Sequence, residues 1–131
     1  MTIFDAIGIA GTGVTVNRKW MDAVSDNLAN INTAVSADSD AFRARYVVAT
    51  EAGDGKGTQV AGIQLGSAAG RTVYEPDNPL ANAKGYVKYP DIDMSTQMTS
   101  LMMAQRAYQA NLTVVDRAKD AYQAALALGK G

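Results

Sequence analysis

From Met94 to Leu128 the chain runs without a proline or a glycine, and no other feature of the sequence constrains the fold as strongly. Roughly 35 residues at 1.5 Å per residue make a helix of ~52 Å, longer than a small domain is wide. Asp93, three residues after Pro90, is a side-chain acceptor where such a helix would open, so it is the expected N-cap. Apolar residues recur along this run at seven-residue spacing: Met94, Leu101, Tyr108, Val115 and Tyr122. A companion row three positions on reads Gln97, Ala104, Asn111, Ala118 and Ala125. Large residues on one row beside small ones on the next suit close approach of a second helix.

The N-terminal segment supplies a matching pattern. Between Ile3 and Ile31, Ile7, Val14, Met21 and Leu28 repeat every seven residues, accompanied by Ala10, Asn17, Val24 and Ile31. Spacings of three and four put these rows on one helical face, and the seven-residue period favours a coiled-coil-like seam. Asn17 is a polar break in that seam of the kind that fixes register. Gly8, Gly11 and Gly13 each weaken the helix by up to ~1 kcal/mol relative to alanine, so this end is expected to fray in the isolated chain. The run Asn30-Ile31-Asn32-Thr33 favours turns and ends the helix.

Between the helices the pattern changes. Phe42 to Thr50 is rich in β-branched and aromatic residues, Gly53 to Gly57 reads as a loop, and Thr58 to Leu65 alternates apolar and small or polar residues. Two such runs around a glycine-rich loop predict a β-hairpin. Arg71 to Tyr74 is a candidate further strand, and Glu75-Pro76-Asp77-Asn78-Pro79 a rigid turn, since proline fixes φ and removes a donor. An isolated hairpin is marginal in water, so this one needs a surface to pack on.

Composition closes off several functions. The chain has no cysteine and no histidine, which removes disulfides, thiolate chemistry, the commonest metal ligand and the commonest general base. Its net charge of −1 comes from acids and bases spread along the chain, without the basic patch that nucleic-acid binding needs. Gly8 to Gly13 resembles a phosphate loop, but Val14-Thr15 follows where lysine and serine or threonine are required. Asp91-Ile92-Asp93 lacks the later ligands of a calcium loop. No catalytic residue, cofactor or metal is therefore expected. Met1 to Gly13 begins without a basic cluster and is broken by glycines, so no cleaved secretion signal is expected. No stretch nears 18 apolar residues, so membrane insertion is not expected either.

The decisive pattern is charge. Of the 22 residues from Met94 to Val115, Arg106 alone is charged, and of the first 17 only Asp5. Serine, threonine, glutamine, asparagine and the extra methionines Met102 and Met103 occupy the outer positions. Such helices are too polar for lipid and too poorly charged to face only water. Burying an amide or hydroxyl against a partner is tolerable when hydrogen bonds are supplied, whereas burying a charge is far more costly. Both helices thus read as elements to be surrounded by protein, in a self-assembling structural subunit. A Met-rich adaptor or chaperone that binds amphipathic helices is the alternative.

Ser25-Asp26-Asn27-Leu28-Ala29-Asn30 resembles the S-x-N-L-A-N signature of bacterial flagellar axial proteins, the rod, hook and hook-associated subunits. Within that family, Val73 to Ala81, Gly85 to Pro90 and Ser100 to Asn111 resemble the proximal rod subunits. The likeness runs from about Ile3 to Leu128. It implies a mainly α fold with a small β region: two long terminal helices, residues 1–33 and 91–131, paired as a coiled-coil-like D0 layer, and an extended or hairpin linker, residues 34–90. It also implies export by the flagellar type III apparatus and assembly into the periplasmic rod as part of the drive shaft and export channel. The implied partners are further copies, other rod proteins (FlgB, FlgF and FlgG-like), a FliE-like adaptor and the MS-ring protein. A FlgB-like or FlgF-like subunit is the nearest alternative. Ser25, Asn27, Leu28, Ala29 and Asn30 become the expected assembly motif, with the asparagines tying one subunit to the next. Ile7, Val14, Met21, Val24, Ile31, Met94, Leu101, Tyr108, Asn111, Val115 and Tyr122 become the expected packing seam.

Overall fold

A computed structural model describes Met1–Gly131. Helix α1 spans Ile3–Asn30 and α2 spans Met94–Gly129. Both open on side-chain caps. Asp93 accepts a hydrogen bond from the Thr96 amide at 2.7 Å, as its position predicts. At α1 the cap is a reciprocal box: the Asp5 amide donates to Thr2 Oγ1 at 3.1 Å, and the Thr2 amide donates to Asp5 Oδ2 at 2.7 Å. The Thr2 backbone and then its hydroxyl hold the Asp5 carboxyl below the usual carboxylate range. With this box at its start, α1 runs from Ile3 to Asn30.

The helices lie side by side and antiparallel, as three rungs show. Asn27 bonds Gln97, Gly13 sits against Asn111, and the Phe4 and Tyr122 rings meet edge-on at 5.2 Å. The residues buried along this line are mostly small: Ala10, Ala23 and Val24 of α1, and Ala104 of α2, with Ile31 just beyond the end of α1. The row of larger residues is less covered. Ile7, Val14, Met21 and Leu28 are half-buried, as are Leu101, Tyr108 and Val115, while Met94 and Tyr122 are exposed. Small side chains let the backbones approach, and the bulkier rows flank the contact.

The middle forms two small antiparallel sheets rather than a lone hairpin. Strands β2 (Arg45–Glu51) and β3 (Thr58–Leu65) make the predicted hairpin, with β2 starting three residues later than its composition implied. Gly53, Asp54 and Gly55 all take left-handed φ in the turn, a conformation that explains the two glycines. A second sheet has the order β1 (Val35–Ser36), β5 (Tyr86–Tyr89), β4 (Arg71–Tyr74). Its central strand pairs Val87 with both Ser36 and Val73, and Val87 is fully buried. Sequence reading missed β1 and β5.

The hairpin does find a surface to pack on. It lies along α1, its base at Asn27 and its tip near Ile9 and Thr12. Thr12 Oγ1 accepts from the Thr58 amide at 3.1 Å and donates to the Ile9 carbonyl at 2.6 Å. Gly57, at φ +102°, passes so close to Thr12 that a Cβ there would collide with its hydroxyl.

Candidate functional site

Asn27 is the junction of the molecule. Its Oδ1 accepts from the Arg45 amide at 2.7 Å and its Nδ2 donates to the Arg45 carbonyl at 2.9 Å. The side-chain amide thus pairs with the start of β2 as a neighbouring strand would. Its second N–H donates to Gln97 Oε1 at 3.0 Å, which brings in α2. Asn27 is 0 % and Gln97 4 % exposed, so three elements meet at a buried amide pair. Beside it Arg45 Nη1 reaches Asp26 Oδ2 at 2.6 Å, an ion pair with both side chains about half exposed.

Both donors of Asn27 and its oxygen are engaged within the chain. Asn30 is half-buried and bonds back along its own helix, its Nδ2 donating to the Asp26 carbonyl at 2.8 Å. Of the other motif residues, Leu28 is half-buried and Ser25 and Ala29 are exposed. In the sequence Gln97 stands out only as a member of the companion row, Gly13 only as a helix-weakening glycine and Arg45 only as part of a strand-forming run. Their partners are distant in sequence, and no spacing rule connects them.

The Glu75-Pro76-Asp77-Asn78-Pro79 segment is likewise internal scaffolding. Glu75 accepts from the Tyr89 hydroxyl at 3.1 Å and from Asn78 Nδ2 at 2.8 Å, while Asn82 Oδ1 accepts from the Lys84 and Tyr86 amides. Desolvation, then the bond to Glu75, pushes the Tyr89 hydroxyl above its ordinary pKa, so it stays a donor at neutral pH. The result is a fixed return from β4 to β5.

What remains outward is the far side of α2. Met94, Met98 and Met102 are spaced four apart, which aligns them along one side of the helix, and are 50 %, 45 % and 51 % exposed. Within α2, Arg106 is the only charge before Asp116. No helix is long and apolar enough to cross a membrane, and no three His, Cys, Asp or Glu side chains group as metal ligands. An open cleft of about 310 Å³ under the hairpin tip is lined by Ile9, Gly13, Val16, Asn17 and their neighbours, without an acid–base pair.

Residues 83–128 match the family model described as flagellar basal body rod FlgEFG protein C-terminal. The class is thus that of flagellar rod proteins, which are structural subunits and not enzymes. Over 99 % of its length the chain is 37 % identical to the whole basal-body rod protein FlgC of Escherichia coli O6:H1. It is 36 % identical to all of the Salmonella typhimurium FlgC, and 31 % to all of that from Bacillus subtilis, again over 99 % of this chain. The chain belongs to the FlgC family of flagellar basal-body rod proteins, a membership that places it in the basal body of the flagellum.

Proposed function

We propose that this chain is a subunit of the proximal rod, polymerising through its terminal helices into part of the torque-transmitting shaft and export channel. The observation that carries the reading is the uncharged, half-exposed stripe of Met94, Met98 and Met102 on α2. Apolar surface exposed in rows is surface that a partner removes from water, and methionine adapts its shape to that partner. In this reading residues 1–33 and 91–131 pair as the coiled-coil-like D0 layer, and residues 34–90 reach neighbouring subunits. Partners are further copies, FlgB, FlgF and FlgG-like rod proteins, a FliE-like adaptor and the MS-ring protein. The chain reaches the periplasmic rod through the type III export apparatus without losing a signal peptide.

The expected seam, from Ile7, Val14, Met21, Val24 and Ile31 to Leu101, Tyr108, Asn111, Val115 and Tyr122, serves pairing within the subunit, leaving Met94 for contacts between subunits. The motif Ser25, Asn27, Leu28, Ala29 and Asn30 then acts on assembly indirectly, by holding the hairpin against the helix pair. The test is Met98→Glu with Met102→Glu in the full chain, expressed in its own bacterium lacking the native copy. Helix content of the purified variant should be unchanged, because both sites are half exposed, while swimming is lost and export persists. Normal swimming would refute the stripe as an assembly surface.

A further inference from the structure

Two helices that repeat every seven residues leave their mutual register open, because a slide of seven sets row against row again. Such a slide moves α2 by about 10 Å along α1. We propose that the register is locked at two points: the Asn27–Gln97 hydrogen bond, and the notch at Gly13 that receives Asn111.

The two locks are built from different physics. At the first, a buried amide donates to a buried amide oxygen at 3.0 Å, and neither finds water if the other is removed. At the second, a Cβ on Gly13 would stand 2.8 Å from Asn111 Nδ2 and 2.9 Å from its Cγ and Oδ1. Asn111 is not free to swing aside at no cost, since its Nδ2 donates to the Ala107 carbonyl at 3.0 Å. Only a residue without a side chain leaves room there. The spacing makes the locks act together: Gln97 and Asn111 are 14 residues apart, and so are Gly13 and Asn27.

A slide breaks both at once. In one direction Asn111 falls opposite Trp20, Gln97 runs past the end of α1 at Asn30, and Asn27 faces Ala104. In the other, Asn111 falls opposite Ala6, Gln97 meets Trp20, and Asn27 looks past the start of α2. Neither slipped state gives Asn27 an amide or Asn111 a glycine. The repeat supplies the attraction between the helices, and these four residues choose one alignment.

The absence of native cysteine makes this directly testable. Phe4→Cys with Tyr122→Cys reports the native register, since those rings touch. Phe4→Cys with Gly129→Cys reports a slide of seven one way, and Phe4→Cys with Val115→Cys the other. In the otherwise unchanged chain only the native pair should oxidise readily, at least tenfold faster than the slipped pairs. Adding Gln97→Leu and Asn111→Ala should speed a slipped pair at least tenfold with helix content retained. Slipped pairs no faster than before, in a variant still helical, would overturn the proposal. A second measurement needs no slipped state. Gly13→Ala should raise the melting temperature in an Asn111→Ala background, where only helix propensity acts, and lower it in the unchanged chain. Equal shifts in the two backgrounds would overturn the notch.

Discussion

Replacing Asn27 by alanine removes three hydrogen bonds at once and leaves their partners in place. The Arg45 amide, the Arg45 carbonyl and Gln97 Oε1 each lose a partner that stood 2.7, 2.9 and 3.0 Å away. A buried polar group stripped of its bond costs about 1–3 kcal/mol. The Arg45 groups are only partly buried, and water entering the vacated space recovers some of their bonding, which favours the low end of that range. The expected loss is about 3–4 kcal/mol, a large share of the ~5–15 kcal/mol that holds a domain folded. Urea unfolding followed by far-ultraviolet circular dichroism should show the midpoint falling with an unchanged slope, since the exposed area on unfolding stays the same. Asn27→Asp is the informative control. The new carboxylate still accepts from the Arg45 amide but faces two oxygens without a proton to offer. Its folded pKa is therefore raised, so this variant should lose stability as pH rises through that value and regain it as pH falls. A loss under about 1 kcal/mol for Asn27→Ala would refute the view that this amide closes the junction.

The neighbouring ion pair should matter much less. With both side chains about half exposed, Asp26→Ala is expected to cost under about 1 kcal/mol, less still at high salt, as urea midpoints at two salt concentrations will show. Gly70→Ala should be severe despite its small size. Gly70 sits at φ +60° with no room for a Cβ beside the Tyr89 carbonyl and Ala41, so the left-handed cost of about 1–2 kcal/mol adds to a backbone clash measurable as a lower melting temperature. Asp93 links the start of α2 to pH. The Thr96 hydroxyl and then its amide depress the Asp93 carboxyl, so the cap is intact above the unfolded pKa and is lost as pH falls through the lower folded one. Acid titration should therefore show an unfolding component below about pH 4 that Asp93→Asn lacks.

The local signals were the legible ones. A long run free of proline and glycine, with aspartate before it, specifies α2 and its cap without help from any distant residue. The same holds for the hairpin of β2 and β3, where the glycine-rich turn sits between two strand-forming runs. Strand β1 has two residues and no pattern of its own, and β5 is a four-residue strand hidden between Gly85 and Pro90. Both exist because they pair across long stretches of chain, Val35 with Lys88 and Val73 with Val87. Propensity offers nothing for β1, whereas the Tyr86-Val87-Lys88-Tyr89 run between Gly85 and Pro90 carries a short strand signal that went unread. The same limit explains Asn27. The S-x-N-L-A-N match located the residue, yet its role lies in Arg45 and Gln97, 18 and 70 positions away. Polar residues in a helix invite an outward reading, whereas Asn27 bonds inward because a strand start and a second helix supply the partners.

Charge scarcity was the one global signal that could be read directly, and the fold sharpens its meaning. A helix poor in charge ordinarily belongs inside a membrane or inside a core. The first does not apply, because no helix is long and apolar enough to cross. The second applies to one face only, since just 11 of 131 residues are buried and Ala104 and Gln97 are the buried part of α2. The outward side keeps three methionines about half exposed, and burying such a side chain completely is worth ~1.5–3 kcal/mol. Covering the exposed halves therefore offers roughly 2–4 kcal/mol per subunit, comparable with what the whole Asn27 junction contributes. In the proposed assembly, a chain with so small a core gains as much from its neighbours along this face as from its own central amide. On that proposal the register of the helices and the assembly of the subunits are two uses of the same charge-poor helix. The inner face is fixed by Gly13, Asn27, Gln97 and Asn111, and the outer one is left open for protein.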